Sequence, residues 1–295
     1  MTQTVLILGP TGRFGRHAAT AFANAGWQVR RFDRARDDLS EAADGADVIV
    51  AGWNPEYQDW ARLVPGLHAE VRRAALANNA TVILPGNVYV YGPDAPFGWT
   101  AQTPHRATNP LGRIRIEMEA TYRREGVRTI VLRAGDFVDT EASGNWFDKI
   151  MAPKLSKGIL TYPGRTDVPH SWAFLPDLAR AAVGLAENRS ELASFADIGF
   201  PGYTITGHEL RQALAHALGH PVEVRQMSWA PLHLMRPFMP VMKHLFEMRY
   251  LWNLPHRLEP TDFETALPNF PATPVEAALR QATAHLALPT VPLPA

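Results

Sequence analysis

The 295-residue chain contains no cysteine. This excludes disulfides, thiolate nucleophiles and cysteine-ligated metals, and suits a reducing, cytoplasmic setting. It also lacks net charge, since 29 basic residues balance 29 acidic ones. No overall field draws in nucleic acid or an anionic membrane. No apolar run reaches the ~18 residues that span a bilayer. No basic and then apolar segment precedes the first strand pattern, so neither a membrane span nor a signal peptide is expected. His208, His216 and His220 show no metal-ligand spacing with carboxylates, and no metal is expected. Internal repeats and low-complexity domains are absent. The length suffices for one large domain or two modest ones.

What is present is concentrated first in MTQTVLILGPTGRFGR. Thr4 to Leu8 is the short apolar, β-branched run of a strand buried on both faces. Gly9, Gly12 and Gly15 follow, and a helical apolar pattern starts at Phe14. Strand, glycine turn and helix together form a dinucleotide-binding context. Gly9 permits a sharp turn, Gly12 clears space for a pyrophosphate, and Gly15 lets the helix sit close to the sheet. Thr11, Arg13 and Phe14 complete the candidate turn. The helix N-terminus offers unpaired N–H groups and a partial positive charge to phosphates.

Trp27 to Phe32 reads as a second strand ending at Asp33-Arg34. An acidic residue here selects NAD through the ribose hydroxyls, whereas an arginine selects NADP through a 2′-phosphate. The chain offers both, and Arg34 with Arg13 inclines the reading to NADP. Ala46 to Ala51 is a further strand whose end, at Ala51 and Gly52, is expected along the cofactor. Pro55 to Trp60 is aromatic and turn-like, and Leu63 to Ala77 has helical spacing. Then come a strand from Thr81 to Leu84, a Pro-Gly break, and a loop bearing Asn87, Tyr89 and Tyr91. A helix is expected from Arg113 to Arg123, followed by a strand from Arg128 to Leu132.

The ordered series GPTGRFG, ADVIVAG, GNVYVYGP, NPLGRIRIEME, VRTIVLRAGDFV and HSWAFLPDLARA resembles the extended short-chain dehydrogenase/reductase superfamily, in its branch of NAD-dependent epimerases and dehydratases. The resemblance covers nearly the whole chain. It implies an α/β fold, a doubly wound parallel sheet of Rossmann type with a small C-terminal substrate domain. The division expected is 1–138 plus 170–200 for the dinucleotide domain, and 139–169 plus 201–295 for the substrate domain.

The sequence departs from that family at its catalytic positions. Asn87 stands at the family's serine, Leu111 at its tyrosine and Arg115 at its lysine, while Gly112 and Glu119 match. Leucine transfers no proton, whereas Arg115 keeps the charge and a ribose contact. Asn87 still donates and accepts hydrogen bonds. The resemblance also sets Arg133 to Phe137 against the nicotinamide. Asp136 is then a candidate proton carrier if burial raises its pKa, the plainer reading being a loop cap. Asn87 and Tyr91 are the other catalytic candidates, and Tyr89, His170 and Trp172 are candidates for the substrate pocket.

A helix opening at Leu175-Pro176-Asp177, a strand at Phe195 to Ile198 and a helix from His208 to Leu218 capped by Thr206 are expected next. Residues 227–254 are rich in Met, Trp and Leu and are broken by prolines at 231, 237 and 240. They read as core and pocket wall, ahead of a self-association surface, an apolar lid or an interfacial membrane helix. A final helix over Pro274 to Leu286 precedes a loose proline-rich tail. Three functions follow: an NAD(P)-dependent oxidoreductase or epimerase acting on a small carbonyl or hydroxyl compound, a dinucleotide-binding redox sensor, or an accessory subunit with a Rossmann scaffold. A homodimer is the expected assembly.

Overall fold

The computed structural model describes residues 2–286; the expected loose tail lies outside them. Strand β1 (Thr4–Leu8) leads through the glycine turn to helix α1 (Arg13–Asn24) and strand β2 (Gln28–Phe32). A short helix α2 (Leu39–Ala42) precedes β3 (Val48–Ala51), α3 (Trp60–Asn78) and β4 (Thr81–Gly86). Helix α4 (Pro110–Arg124) and strand β5 (Thr129–Arg133) complete the first half.

Beyond β5 come β6 (Asp136–Val138), β7 (Ile159–Tyr162), β8 (His170–Phe174), α5 (Leu175–Glu187) and β9 (Phe195–Gly199). Strand β10 (Tyr203–Ile205), helix α6 (Gly207–Leu218) and strand β11 (Glu223–Gln226) follow. Helices α7 (Ala230–Met235), α8 (Pro240–Glu247), α9 (Thr261–Ala266) and α10 (Val275–Thr283) close the described chain.

The main sheet has six parallel strands in the order β2-β1-β3-β4-β5-β9. Period-two alternation sorts β1 between the faces: Leu6 and Leu8 join the core under α3 and α4, Val5 and Ile7 the core under α1 and α5. Burial on both faces is why these strands are continuous apolar runs. The order reverses between β1 and β3, so the crevice for a ligand opens at the carboxyl ends of those two strands.

One expected break is not a break. β4 continues through Pro85 and Gly86, which pair with Leu132 and Arg133. The Thr81 N–H points to Asp47 of the β3 side and the Val82 N–H to Arg128 of the β5 side. By alternation Pro85 faces β3, whose pairing with β4 ends at Ile83, so the ladder needs no N–H there.

The remaining elements form a third apolar core around Phe147, Leu160, Tyr162, Trp172, Leu214 and Trp252. β8 lies between parallel β6 and antiparallel β10, and β7 pairs with β11. Strand β8 serves two cores, with Trp172 and Phe174 in the third and Ala173 under α1 and α5. Thr206 caps α6 in a reciprocal capping box with Glu209. The Met-rich stretch divides into α7 and α8 at its prolines. Trp229, Met242, Met248 and Trp252 are buried, while Leu234, Met235 and Phe238 are exposed, so it is more than core.

Candidate functional site

The glycine turn is held by backbone packing. Gly9 has φ +74°, and a Cβ there would lie 3.0 Å from the Trp53 backbone. A Cβ on Gly15 would lie 2.0 Å from the Gly9 carbonyl oxygen, so the helix start is pressed onto the turn itself. A Cβ on Gly52 would lie 2.8 Å from the Leu8 carbonyl oxygen, with Ala51 buried beside it and in register with Leu8. The Gly12 N–H donates to Gly9 O over 3.0 Å, and no side chain caps α1. The first-turn N–H groups of Arg13, Phe14 and Gly15 therefore have no helical acceptor and suit an anion. Thr11 is exposed beside them. Phe14 contributes only its backbone, because its ring is packed under α1.

At the end of β2, Asp33 is exposed and caps its own turn, accepting from the Ala35 N–H at 3.0 Å. Arg34 is exposed. Arg13 does not join it: its guanidinium donates to the carbonyls of Ser143 and Gly144, each at 2.8 Å. Arg16 and His17 bind Asp139 in the same segment at 2.6 and 2.7 Å. Burial alone would raise the Asp139 carboxyl, but His17 and Arg16 outweigh it and hold it at about 2. The loop after β6 thus engages two donor nitrogens of Arg13, Nε and Nη2.

A cluster of side chains from separate segments forms the second part. Tyr57, in a single turn before α3, shares a 2.6 Å hydrogen bond with Tyr89 between the two hydroxyls. Burial raises both phenols; the bond to Tyr89 and the charges of Arg13 and Arg115 pull Tyr57 back, while the bond to Tyr57 lifts Tyr89 further. Asn87 aims Tyr89, its Oδ1 accepting the Tyr89 N–H at 3.0 Å. Gly112 brings α4 close behind, since a Cβ there would lie 2.7 Å from Tyr89 O.

Arg115 is 8% exposed and lies over the Trp60 ring at 4.6 Å. Nη2 donates to Asn54 Oδ1 at 3.2 Å, and Nε has no partner among the described residues. Burial lowers its pKa, opposed by Glu119, yet a guanidinium stays charged at neutral pH. A buried cation with an unused donor is a poor structural filler, because an unmet donor costs ~1–3 kcal/mol. Arg115 and the first-turn N–H groups together fit an anionic or hydroxyl-rich cofactor.

Asp136 is less buried than expected, its side chain being 27% exposed. His170 Nε2 donates to its Oδ2 at 2.8 Å. Gly135 makes this meeting possible, since a Cβ there would lie 2.1 Å from Ser171 O. His170 is 1% exposed and stacked on Trp252 at 4.4 Å, so its reach is through Asp136. Behind it, His256 Nδ1 donates to Leu254 O and Nε2 accepts from the Ser171 N–H. Burial lowers His256 to about 3, so its ring is neutral at pH 7.

Two expected site residues lie elsewhere. Tyr91 is buried in the core, stacked on Trp99 at 4.4 Å. Trp172 is 1% exposed within the third core. Leu111 is fully buried, and its N–H donates to Glu247 of α8 at 2.6 Å. His105, Glu119 and Asp197 hold ligand-type atoms within 4.8 Å of one another. Arg133 Nη2 already bridges the two carboxylates at 2.8 and 2.5 Å, so the guanidinium is their cation. Arg133 Nη1 also donates to Asn87 O at 2.6 Å, tying this buried pair to the loop that carries Tyr89.

Sequence reasoning missed Tyr57, Asn54, Glu247 and His256. The one available signal was the aromatic run before α3; Glu247 and His256 are remote in sequence and carry no local signature.

No protein-family model and no curated protein sequence matches the chain. Solved structures do match over nearly its full length. UDP-glucose 4-epimerase from Brucella ovis in complex with NAD aligns with TM-score 0.72 and 18% identity, covering 98% of this chain and 99% of that one. RMD from Pseudomonas aeruginosa complexed with NADPH gives TM-score 0.71 at 17% identity, covering 96% and 98%. A nucleoside-diphosphate-sugar epimerase from Pseudomonas aeruginosa gives 0.71 at 15%, covering 96% and 97%. At these identities the likeness is one of fold. With the parallel sheet, the glycine turn at its crevice and the small third-core region, the chain shares the fold of these three structures.

Proposed function

We propose that this chain is an NAD(P)-dependent oxidoreductase of the epimerase/dehydratase kind, acting on a small carbonyl or hydroxyl compound, in which Tyr57 replaces the tyrosine that Leu111 has displaced. The observation that carries it is the 2.6 Å Tyr57–Tyr89 hydroxyl pair in a cluster influenced by the Arg115 charge. The first-turn N–H groups hold the pyrophosphate and Arg115 Nε a ribose hydroxyl. The nicotinamide, when bound, supplies hydride chemistry. Tyr57 holds the proton exchanged with the substrate oxygen, and Tyr89, donating to Tyr57, stabilises its oxyanion. Asp136, fixed by His170, lines the same wall as a second acceptor. The structural neighbours bound to NAD and NADPH support the cofactor class. For cofactor choice, the exposed Arg34 favours NADP, while Asp33, exposed but holding the Ala35 N–H and lying 3.5 Å from Arg36, is the group that would serve NAD.

The test is calorimetric titration of NADH and NADPH, followed by NAD(P)H oxidation with carbonyl compounds and nucleotide sugars. Micromolar binding and a turnover that Tyr57→Phe removes are expected. No binding at millimolar concentration overturns the whole reading. Binding without turnover throughout the panel favours the sensor instead, and turnover unchanged in Tyr57→Phe removes Tyr57 from its role.

A further inference from the structure

The hairpin of α7 and α8 is the part of the molecule that the site does not absorb. Its inner side is anchored: Trp229 Nε1 donates to Pro163 O at 2.7 Å, and Phe246 packs on Trp229 at 5.3 Å. Glu247, at its end, binds the Leu111 N–H and Asn109 of α4. The tip turns outward. Leu234 is 78%, Met235 44% and Phe238 84% exposed, three large apolar side chains within five residues. Isolated exposed leucines need no explanation, but a contiguous apolar projection does.

The charge along the hairpin's own sequence has one sign. Between Glu223 and Glu247 the sequence holds no carboxylate, although the whole chain is neutral. Arg236 and Lys243 are exposed and form no ion pair among the described residues. Glu247 is nearly buried and committed to α4. Apolar anchors interspersed with unpaired cations fit the boundary of an anionic bilayer, where the rings and methyls enter the acyl region and the cations meet headgroup phosphates. A second copy fits less well. A two-fold contact sets the same patch against itself, bringing Arg236 and Lys243 toward their own counterparts with no carboxylate in the hairpin between Glu223 and Glu247 to answer them. None of the described helices is long and apolar enough to cross a membrane, so the contact is interfacial.

We propose that the α7–α8 tip docks on an anionic lipid surface through Leu234, Met235 and Phe238, with Arg236 and Lys243 selecting the charge. Since α8 also packs against the turn bearing Tyr57, with the His244 and Tyr57 rings 6.4 Å apart, this contact brings the wall of the candidate site to the bilayer.

The experiment is co-sedimentation of the full chain with phosphatidylcholine vesicles, with and without phosphatidylglycerol. The expected result is retention on the phosphatidylglycerol vesicles only, weakening as salt is raised. Leu234→Ser/Phe238→Ser and Arg236→Glu/Lys243→Glu should each lower partitioning by at least about tenfold with circular dichroism unchanged. Three results overturn the proposal: a chain left in the supernatant with both vesicles, equal retention on both, or a solution dimer that Phe238→Ser dissociates. The last assigns the patch to a second copy.

Discussion

The turn from Gly9 to Gly15 and the cluster around Tyr57 are two halves of one candidate site, built by opposite means. The turn is backbone: its shape depends on what its residues lack, and a Cβ at Gly15 has nowhere to go. The cluster is side chain: Tyr57, Tyr89, Arg115 and Asp136 come from four segments and meet only through the fold. Backbone sites are compact in sequence and tolerate few substitutions. Side-chain sites are dispersed, and the same chemistry can be supplied from a different element, as the proposal for Tyr57 in the turn before α3 requires.

That contrast is most exposed to attack at Tyr57. Tyr57→Phe should reduce turnover about 10²–10⁴-fold in steady-state assays while leaving dinucleotide affinity nearly intact. Parallel loss of both would make Tyr57 a packing residue. Arg133→Met tests the support beneath the cluster: with Glu119 and Asp197 left buried and unpaired, urea denaturation should show a loss of about 3–5 kcal/mol.

Gly12→Val tests the other half. Its Cβ would stand 3.2 Å from Gly9 O, tight but not impossible, with the branch in the expected phosphate space. Dinucleotide affinity should fall at least about 100-fold by calorimetry in a folded protein. Arg115→Met links the halves, and a loss of about ten- to hundredfold in affinity is expected for one charge-assisted contact.

The smallest effect sharpens the comparison by pH. The turn from Gly9 to Gly15 owes its shape to backbone, whereas the side-chain half is backed by buried histidines. Burial lowers His68 and His256 to about 3, below the ~6.5 of an unfolded histidine. The unfolded chain therefore binds more protons between these values, and stability rises with pH across that window. Their contribution is complete above pH ~6.5 and is lost as pH falls toward 3, at about 1.4 kcal/mol per unit for each ring. Denaturation midpoints measured from pH 7 to pH 4 should show this slope, and His256→Asn should reduce it.

The sequence by itself determined the parallel sheet, because alternating burial on two faces writes continuous apolar runs such as VLIL and VIVA. It determined the glycine turn, because only an absent side chain permits that backbone approach. It also showed Leu111, Arg115 and Asn87 at the positions where the family it resembles carries tyrosine, lysine and serine. It did not disclose that Arg13 Nε and Nη2 donate to the Ser143–Gly144 loop, since those bonds span about 130 residues. Nor did it show that Tyr91 and Trp172 are core, because an aromatic side chain reads the same whether it faces a ligand or a neighbour. The tertiary structure decided which phenols meet, because hydroxyl contact requires two segments 32 residues apart to close within 2.6 Å, and only packing fixes that distance.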